Sequence, residues 1–256
     1  MNNIHLYFYG REVVQGTWCR GKPFVSNRLY YVNSGTATIF NSTKEYVLTA
    51  GKAYIIPQCN DFHTITSKDF DHTFFDYYSS RTLNPGKTIV FDEENLPVKQ
   101  FFNYINAIIS DDTKNLPRKA IEDLLSGFLG VMESTTDLFE YISTYPVSRA
   151  VDIIHSDCAH ATTKSLAEEL NLNESYFIRL FRNTFGISPM KYIRTCRVLY
   201  GKELLKGGES VDKVSEKCGY SSSAAFYKAV MTELGEKPSD LKKQFSSIHI
   251  KNKNVR

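Results

Sequence analysis

The sequence predicts an α+β protein with an N-terminal β-barrel, two following helices and an all-α C-terminal domain. Residues 1–95 carry short segments rich in β-branched and aromatic residues, separated by turn residues, which is typical of a barrel or a sandwich. From about residue 146 onward, apolar residues recur at helical spacing. The length of 256 residues suits two domains of ordinary size.

Four segments of residues 1–95 have the composition of β-strands. Turns such as Asn33-Ser34-Gly35 and Asn84-Pro85-Gly86 lie between them or follow them. The four segments are residues 28–32, 36–40, 53–57 and 73–78.

Two amphipathic helices are predicted between residues 97 and 134. Pro97 and Pro117 open them, and proline suits the first turn of a helix. The first apolar stripe consists of Val98, Phe101, Phe102, Ile105, Ile108 and Ile109, and the second of Ile121, Leu124, Leu125, Phe128 and Met132. The stripes could pack on the barrel or on each other, or they could form a dimer interface, and the sequence leaves this open.

These patterns predict the domain organisation. The predicted parts are a barrel (1–95), a helical pair (96–139), a linker (140–146), a helical domain (147–246) and a tail (247–256).

Charge divides the chain in the same way. Residues 147–256 contain 18 Lys and Arg against 12 Asp and Glu, whereas the rest contains 13 against 16. A basic half beside an acidic half indicates a polyanionic partner for one half only, with chance imbalance as the alternative.

The lack of a targeting signal, of a membrane-spanning run and of cysteine motifs predicts a cytoplasmic protein. The N-terminus lacks a basic region followed by an apolar stretch, and no apolar run has the roughly 18 residues that span a bilayer. The five cysteines are scattered and form no CxxC pair, so we expect neither a zinc site nor a disulfide framework.

A repeat runs through the helical zone. Leu166-Ala167, Phe177–Phe181 and Gly186-x-x-Pro189 correspond to Val214-Ser215, Phe226–Val230 and Gly235-x-x-Pro238. The later pairs are 49 residues apart and the earlier pairs 48, so the second turn is one residue longer. The unit of short helix, tight turn and second helix is a helix-turn-helix.

The turn chemistry supports this interpretation. Asn171 and Gly219 can take a left-handed conformation, and Asn173 and Ser222 can cap the second helices. Gly186 and Gly235 are expected to end those helices.

The zone from Val147 to Gln244 resembles the DNA-binding domain of AraC/XylS-type regulators. The matching residues, in order, are Leu166-Ala167, Tyr176-Phe177-x-Arg179-Leu180-Phe181-Arg182, Gly186-x-Ser188-Pro189-x-x-Tyr192-x-x-x-x-Arg197, Leu204-Leu205, Cys218-Gly219-Tyr220 and Gly235-x-x-Pro238. The N-terminal zone resembles that family's cupin-like sensor more weakly, through Leu29-Tyr30-Tyr31-Val32-x-x-Gly35 and Gly51-x-x-x-Ile55-Ile56-Pro57.

The resemblance implies two helix-turn-helix subdomains joined by one long helix, from about Pro189 to Lys206. Their recognition helices would enter successive major grooves about 34 Å apart. Two departures stand out: Gly201 replaces a usual alanine in the connecting helix, and Val230-Met231 replaces phenylalanine and a basic residue. The second departure puts the DNA contact of the second unit in doubt.

A helical wheel places the candidate DNA contacts. In the first recognition helix, Ser175, Arg179 and Arg182 lie opposite the apolar arc, and arginine suits guanine or phosphate. Solvated surface charge is the alternative for both arginines. Adding 49 gives Ala224, Lys228 and Met231 in the second helix, with Ser223 and Tyr227 beside them.

For the sensor, the resemblance implies a small effector inside the barrel, such as a sugar. The candidate pocket residues combine flat surfaces with polar tips, although aromatic core packing would explain each one singly. They are Trp18, Arg28, Tyr30, His63 and Tyr77.

Two function classes follow. The first is a sequence-specific DNA-binding transcription regulator, controlled by a small-molecule effector and acting as a homodimer. The second is a small-molecule-binding protein or cupin-type enzyme with an accessory helical domain. No HxH pair, GxSxG, P-loop or GxGxxG motif occurs, so we expect no catalytic residues, metal or cofactor and favour the first.

Overall fold

The computed structural model describes residues 4–17, 25–41, 45–58, 62–85, 87–92, 94–109, 117–142 and 145–241. The chain divides into two compact units, Met1–Ser143 and Thr144–Arg256. Within the described ranges, none of the helices combines the length and apolar character needed to cross a bilayer.

Among its described residues, the first unit has a curled, antiparallel half-barrel of seven strands. The strands are β1 (Ile4–Thr17), β2 (Asn27–Ser34), β3 (Thr36–Asn41), β4 (Glu45–Thr49), β5 (Ala53–Ile56), β6 (Phe62–Ser79) and β7 (Ile89–Phe91). Their order is β4-β3-β6-β2-β5-β7, and β1 pairs with β6. The long strand β6 therefore organises the sheet, because it pairs with β1, β2 and β3. The α+β prediction is confirmed, with a half-barrel in place of the predicted barrel.

The sheet buries both of its faces. Successive side chains of a strand point to opposite faces, so Tyr30 and Tyr31 in β2 belong to different clusters. One face, which we call the inner face, contains Tyr30, Val32, Ala37, Ile39, Leu48, Tyr54, Ile56 and Phe70. The opposite face, which we call the helix face, contains Leu6, Leu29, Tyr31, Ala53, Ile55, Phe75 and Tyr77.

Helices α1 (Leu96–Ile109) and α2 (Arg118–Thr135) cover the helix face. The ring of Phe102 stacks on Tyr31 at 4.5 Å, and the rings of Phe101 and Phe128 stack at 4.1 Å. Both predicted apolar stripes are therefore used in packing on the sheet and on each other. A dimer interface would have to use other residues of these helices.

Part of the predicted linker, 140–146, pairs with the first unit. The amide of Asn84 donates to the carbonyl of Glu140, and the amide of Ile142 donates to the carbonyl of Thr82. Helix α3 already begins at Tyr145. Residues 140–142 thus belong to the first unit, because backbone pairing holds them against residues 82–84.

The second unit consists of helices in the predicted repeat. After α3 (Tyr145–Ser156) come α4 (Thr163–Glu169), α5 (Glu174–Phe185), α6 (Pro189–Lys206), α7 (Val211–Lys217) and α8 (Ser223–Leu234). Helix α6 has the bounds predicted for the connecting helix. The turns 170–173 and 218–222 differ by one residue, as the repeat offsets predicted.

The turns take the expected backbone conformations. Asn171 and Gly219 have φ of 53° and 74°, the left-handed region that asparagine and glycine enter most easily. Gly186 and Gly235 end α5 and α8 with φ of 70° and 74°. Local sequence therefore fixes the angle between the two helices of each unit.

The departure at Gly201 has a packing reason. A Cβ added there would lie 2.6 Å and 2.7 Å from ring carbons of Phe226 and 3.1 Å from the Sγ of Cys218. Phe226 and Cys218 are both fully buried in the core of the second unit. The missing side chain lets α6 pass directly over the Phe226 ring.

We expect Gly201→Ala to destabilise the protein although alanine is the better helix former. Alanine gains about 1 kcal/mol in helix propensity, whereas overpacking a filled core costs about 1–3 kcal/mol. We therefore expect a net loss of up to about 2 kcal/mol in the free energy of unfolding, measured by urea denaturation with circular dichroism. Gly130→Ala in α2 is the matched control, since nothing lies within 4 Å of its added Cβ and it should stabilise. Equal stabilisation by both would contradict the packing argument.

Candidate nucleic-acid interface and sensor interior

Helix α5 presents a polar face away from its core. The Asn173 side chain caps it by accepting from the amides of Ser175 (3.0 Å) and Tyr176 (3.4 Å). Phe177 and Phe181 are fully buried on the other side. The predicted contacts Ser175, Arg179 and Arg182 are all exposed.

Tyr176 belongs to the same surface, and the sequence analysis missed it. Its side chain is 45% exposed, and the Arg179 guanidinium carbon lies 5.5 Å from the centre of its ring. A position one residue after Ser175 lies at the edge of the outer arc on a helical wheel, which is the signal that could have found it.

Helix α8 presents a different surface in the equivalent place. Ala224 and Lys228 are exposed, and Tyr227 and Met231 are exposed by 41% and 38%. Val230 is fully buried, so the departure Val230-Met231 leaves the core intact and changes the outer face.

Ser223 serves the contact between α7 and α8. Its hydroxyl donates to the carboxylate of Asp212 and lies 3.5 Å from the hydroxyl of Ser215. Its one O–H proton is therefore committed within the unit, and Ser223 could only accept a hydrogen bond from DNA. Its predicted contact with DNA stays a prediction.

The two helix-turn-helix units meet through Arg197 of α6. Its guanidinium donates to the carbonyls of Cys158 (2.8 Å), Ala159 (2.8 Å) and Ala161 (3.1 Å) in the loop before α4. It also reaches the carbonyl of Gly219 at 3.5 Å, in the turn of the second unit. A Cβ on Gly219 would lie 2.1 Å from the carbonyl oxygen of Ala159. The turn of the second helix-turn-helix therefore packs directly on the loop that precedes α4.

A second brace joins α6 to the end of α8. Arg194 donates to Oε1 of Glu233 at 2.7 Å, and the Thr195 hydroxyl donates to Oε2 at 3.0 Å. The Glu233 side chain is only 6% exposed. Together with Arg197, this brace fixes where α8 lies relative to α5 within the unit.

In the first unit, charged groups are buried on the inner face. The Arg28 Nε lies 3.1 Å from Oδ1 of Asp76, and an Arg28 Nη donates to the Tyr30 hydroxyl at 3.3 Å. Both charged residues are less than 10% exposed. A buried ion pair is costly to desolvate, so an ordered polar cluster here is a candidate ligand site.

His72 adjoins this cluster. It is fully buried, stacks on Phe70 at 4.9 Å and meets Tyr30 edge-on at 5.4 Å. Burial lowers the pKa of His72 to about 4, and the positive charge of Arg28 acts in the same direction, while Asp71 opposes it. The ring is therefore neutral at physiological pH.

The structure separates the predicted effector residues. Arg28 and Tyr30 come together on the inner face, but Tyr77 lies on the helix face, where burial raises the pKa of its hydroxyl. Tyr77 therefore does not share the face of Arg28 and Tyr30, and its role as an effector residue stays a prediction. Trp18 lies outside the described residues, and for His63 only the backbone pairing with Phe40 is described.

Asp76 and His72 are inner-face residues that the sequence analysis left out. Arg28 pairs directly opposite Asp76 across β2 and β6, and directly opposed residues point to the same face. The parity of β6 could have found them, but only with the register known. Within the described residues, no group of three or more His, Cys, Asp or Glu is placed to hold a metal ion.

Comparison with known proteins agrees with the helical repeat. The family model described as a helix-turn-helix domain matches residues 166–244. The Msm operon regulatory protein of Streptococcus mutans is 31% identical over 103 residues, which are 40% of this chain and 37% of that protein. Residues 166–244 therefore form a helix-turn-helix domain, in agreement with the resemblance to AraC/XylS-type regulators. The Msm protein match thus spans little more than a third of that relative's length.

Two further comparisons extend over nearly the whole chain. The lactose operon transcription activator of Staphylococcus xylosus is 21% identical over 241 residues, covering 87% of this chain and 86% of that protein. A crystal structure of ToxT from Vibrio cholerae has a TM-score of 0.63 at 13% identity, covering 96% and 97% of the two chains. The ToxT likeness shows the fold, and relatives that are transcription regulators make an enzyme a poor interpretation.

We expect Arg197→Lys to weaken the contact between the two helix-turn-helix motifs. Lysine keeps the charge but lacks the planar fork that serves several carbonyls at once. Hydrogen bonds to charged groups contribute about 1.5–3 kcal/mol, so the free energy of unfolding should fall by an amount of that order, measured by urea denaturation. Arg182→Lys on the exposed face of α5 is the control and should change stability by less than about 0.5 kcal/mol. Equal effects of both substitutions would rule out the bracing role.

Proposed function

We propose that this chain is a sequence-specific DNA-binding regulator whose activity is controlled by a small molecule held in its half-barrel. The observation that carries the proposal is the pair of capped helix-turn-helix units braced on α6, each with an exposed outer helix face. The buried polar cluster of the first unit supports a ligand site. We propose no catalytic role for any residue.

The two recognition helices are proposed to divide the work unequally. On α5, Ser175, Arg179 and Arg182 can hydrogen-bond to base edges, and arginine pairs in bidentate fashion with guanine. On α8, Lys228 and Tyr227 retain donors, and Lys228 suits a phosphate as a point charge. The first helix-turn-helix would then set most of the sequence preference for DNA, and the second helix-turn-helix would add affinity and register.

Substitution of the two cations tests this division. We expect Arg179→Ala to lose roughly 1–3 kcal/mol on a site selected in vitro from random DNA and much less on random DNA. Lys228→Ala should weaken both more evenly and make the salt slope shallower by about one unit. The measurement is the dissociation constant of the full chain on both DNAs across a salt series. Loss of discrimination in Lys228→Ala alone would reverse the assignment.

The effector is proposed to bind on the inner face, and a polar molecule such as a sugar suits that face. Asp76 and Arg28 offer an acceptor and donors for hydroxyl groups, and Tyr30 offers a flat ring beside a hydroxyl. Support comes from a relative named as a lactose operon activator and from a ToxT structure described as bound to an unsaturated fatty acid. The second shows that the fold can hold a small molecule.

Two buried tyrosines on opposite faces of the sheet test the site. After a thermal-shift screen of sugars, we expect Tyr30→Phe to weaken binding of the stabilising sugar about fivefold, the value of one hydrogen bond. Tyr77→Phe should leave its affinity unchanged, because Tyr77 lies on the helix face. The measurement is calorimetric titration. The reverse pattern would move the site to the helix face, and a screen without any hit among sugars would remove that ligand class.

We further propose a cytoplasmic homodimer. Because the apolar stripes are used on the sheet, a dimer would use outward residues of the same helices, such as Tyr104 (57% exposed) and Val131 (50% exposed). Exposed apolar side chains of this kind are common at interfaces. A cytoplasmic location would give the protein access to DNA, its proposed partner.

A further inference from the structure

The outer face of α8 has little capacity for hydrogen bonding. Where α5 has Ser175, Arg179 and Arg182, α8 has Ala224, Lys228 and Met231, 49 residues later. Two hydroxyls of α8 are committed within the unit: Ser223 donates to Asp212, and Thr232 donates to the carbonyl of Lys228 at 2.8 Å. The groups that remain exposed are a methyl, a thioether, a phenol and one ammonium.

These exposed apolar groups are not needed for the core of the unit. Phe226, Ala229 and Val230 fill that core from the opposite side of α8. Met231 and Tyr227 keep 38% and 41% of their surface exposed. Their apolar surface is thus available to a partner that docks on this face, and the match to a helix-turn-helix domain covers all of α8.

Among the base edges of the major groove, thymine is distinguished by its C5-methyl group. Alanine and methionine side chains offer no donor to a base, but they can contact a methyl group, and methionine adapts its shape to irregular apolar surfaces. We propose that α8 recognises thymine methyl groups through Ala224 and Met231. The half-site under the second unit is selected by apolar contact, whereas the half-site under α5 is selected by hydrogen bonds. This inference rests on the proposed function.

The test removes methyl groups from DNA without changing its base pairing. The full chain is titrated with a site selected in vitro, and deoxyuridine replaces thymine in one half-site at a time. The positions at which Arg179→Ala loses discrimination identify the half under α5. In the other half, affinity should fall about fourfold for each contacted methyl, as expected for burial of one such group. The same replacement under α5 should have little effect.

Substitutions at Met231 assign the effect to α8. Met231→Gln, close in length but polar, should lose the response at one thymine. Met231→Leu should keep it, because leucine is apolar and of similar volume. Circular dichroism of each variant checks folding, which a partly exposed position should tolerate. Arg182→Gln, at the equivalent position of α5, should leave the deoxyuridine response intact.

The outcomes separate this inference from the proposed function. The inference is overturned by a half-site without thymine, by equal responses in both halves, or by a response that persists in Met231→Gln and in Ala224→Ser. In each case the DNA-binding function stands. A wild-type chain that fails to select or bind any DNA overturns the proposed function itself.

Discussion

The guanidinium of Arg197 is the point on which the architecture of the second unit depends. It holds three carbonyls of the loop before α4 at 2.8–3.1 Å while its own backbone lies in α6. A helix-turn-helix alone sets only the angle between its own two helices. Reading two grooves with one chain also requires a fixed distance between units, and here charge-assisted hydrogen bonds and the Arg194–Glu233 brace supply it. The relative position of the two recognition helices therefore depends on the contacts of α6 rather than on either helix-turn-helix alone.

The first unit is organised differently, because its sheet has an apolar cluster on each face. One face is closed by α1 and α2, and the other surrounds the Arg28–Asp76 pair. Burying this ion pair has a desolvation cost that apolar packing would avoid. Its position on this face of the sheet brings charged and hydroxyl groups close together. A strand that alternates between these faces places residues of the two faces side by side, as Tyr30 and Tyr31 show.

Local signals made the second unit predictable from sequence. The bounds of α6, the extra residue in the second turn and the left-handed residues Asn171 and Gly219 all follow from caps, turn residues and a repeat. The sensor depends on pairing between distant strands, and β1 slips register against β6 at two places. The face that each residue of β6 takes therefore depends on strand pairing, and the sequence alone could not separate Tyr77 from Tyr30. The hydrogen bond from the Ser223 hydroxyl to Asp212 could not be predicted either, because Asp212 lies eleven residues away on α7.

The close passage of α6 over Phe226 also has an evolutionary meaning. Positions 201 and 226 share one small volume, so the residue tolerated at one depends on the residue present at the other. Homologues with alanine in place of Gly201 should show compensation in the ring at the other position. Such a pair is epistatic, and it would appear as covariation between two sites that are 25 positions apart and lie on different helices.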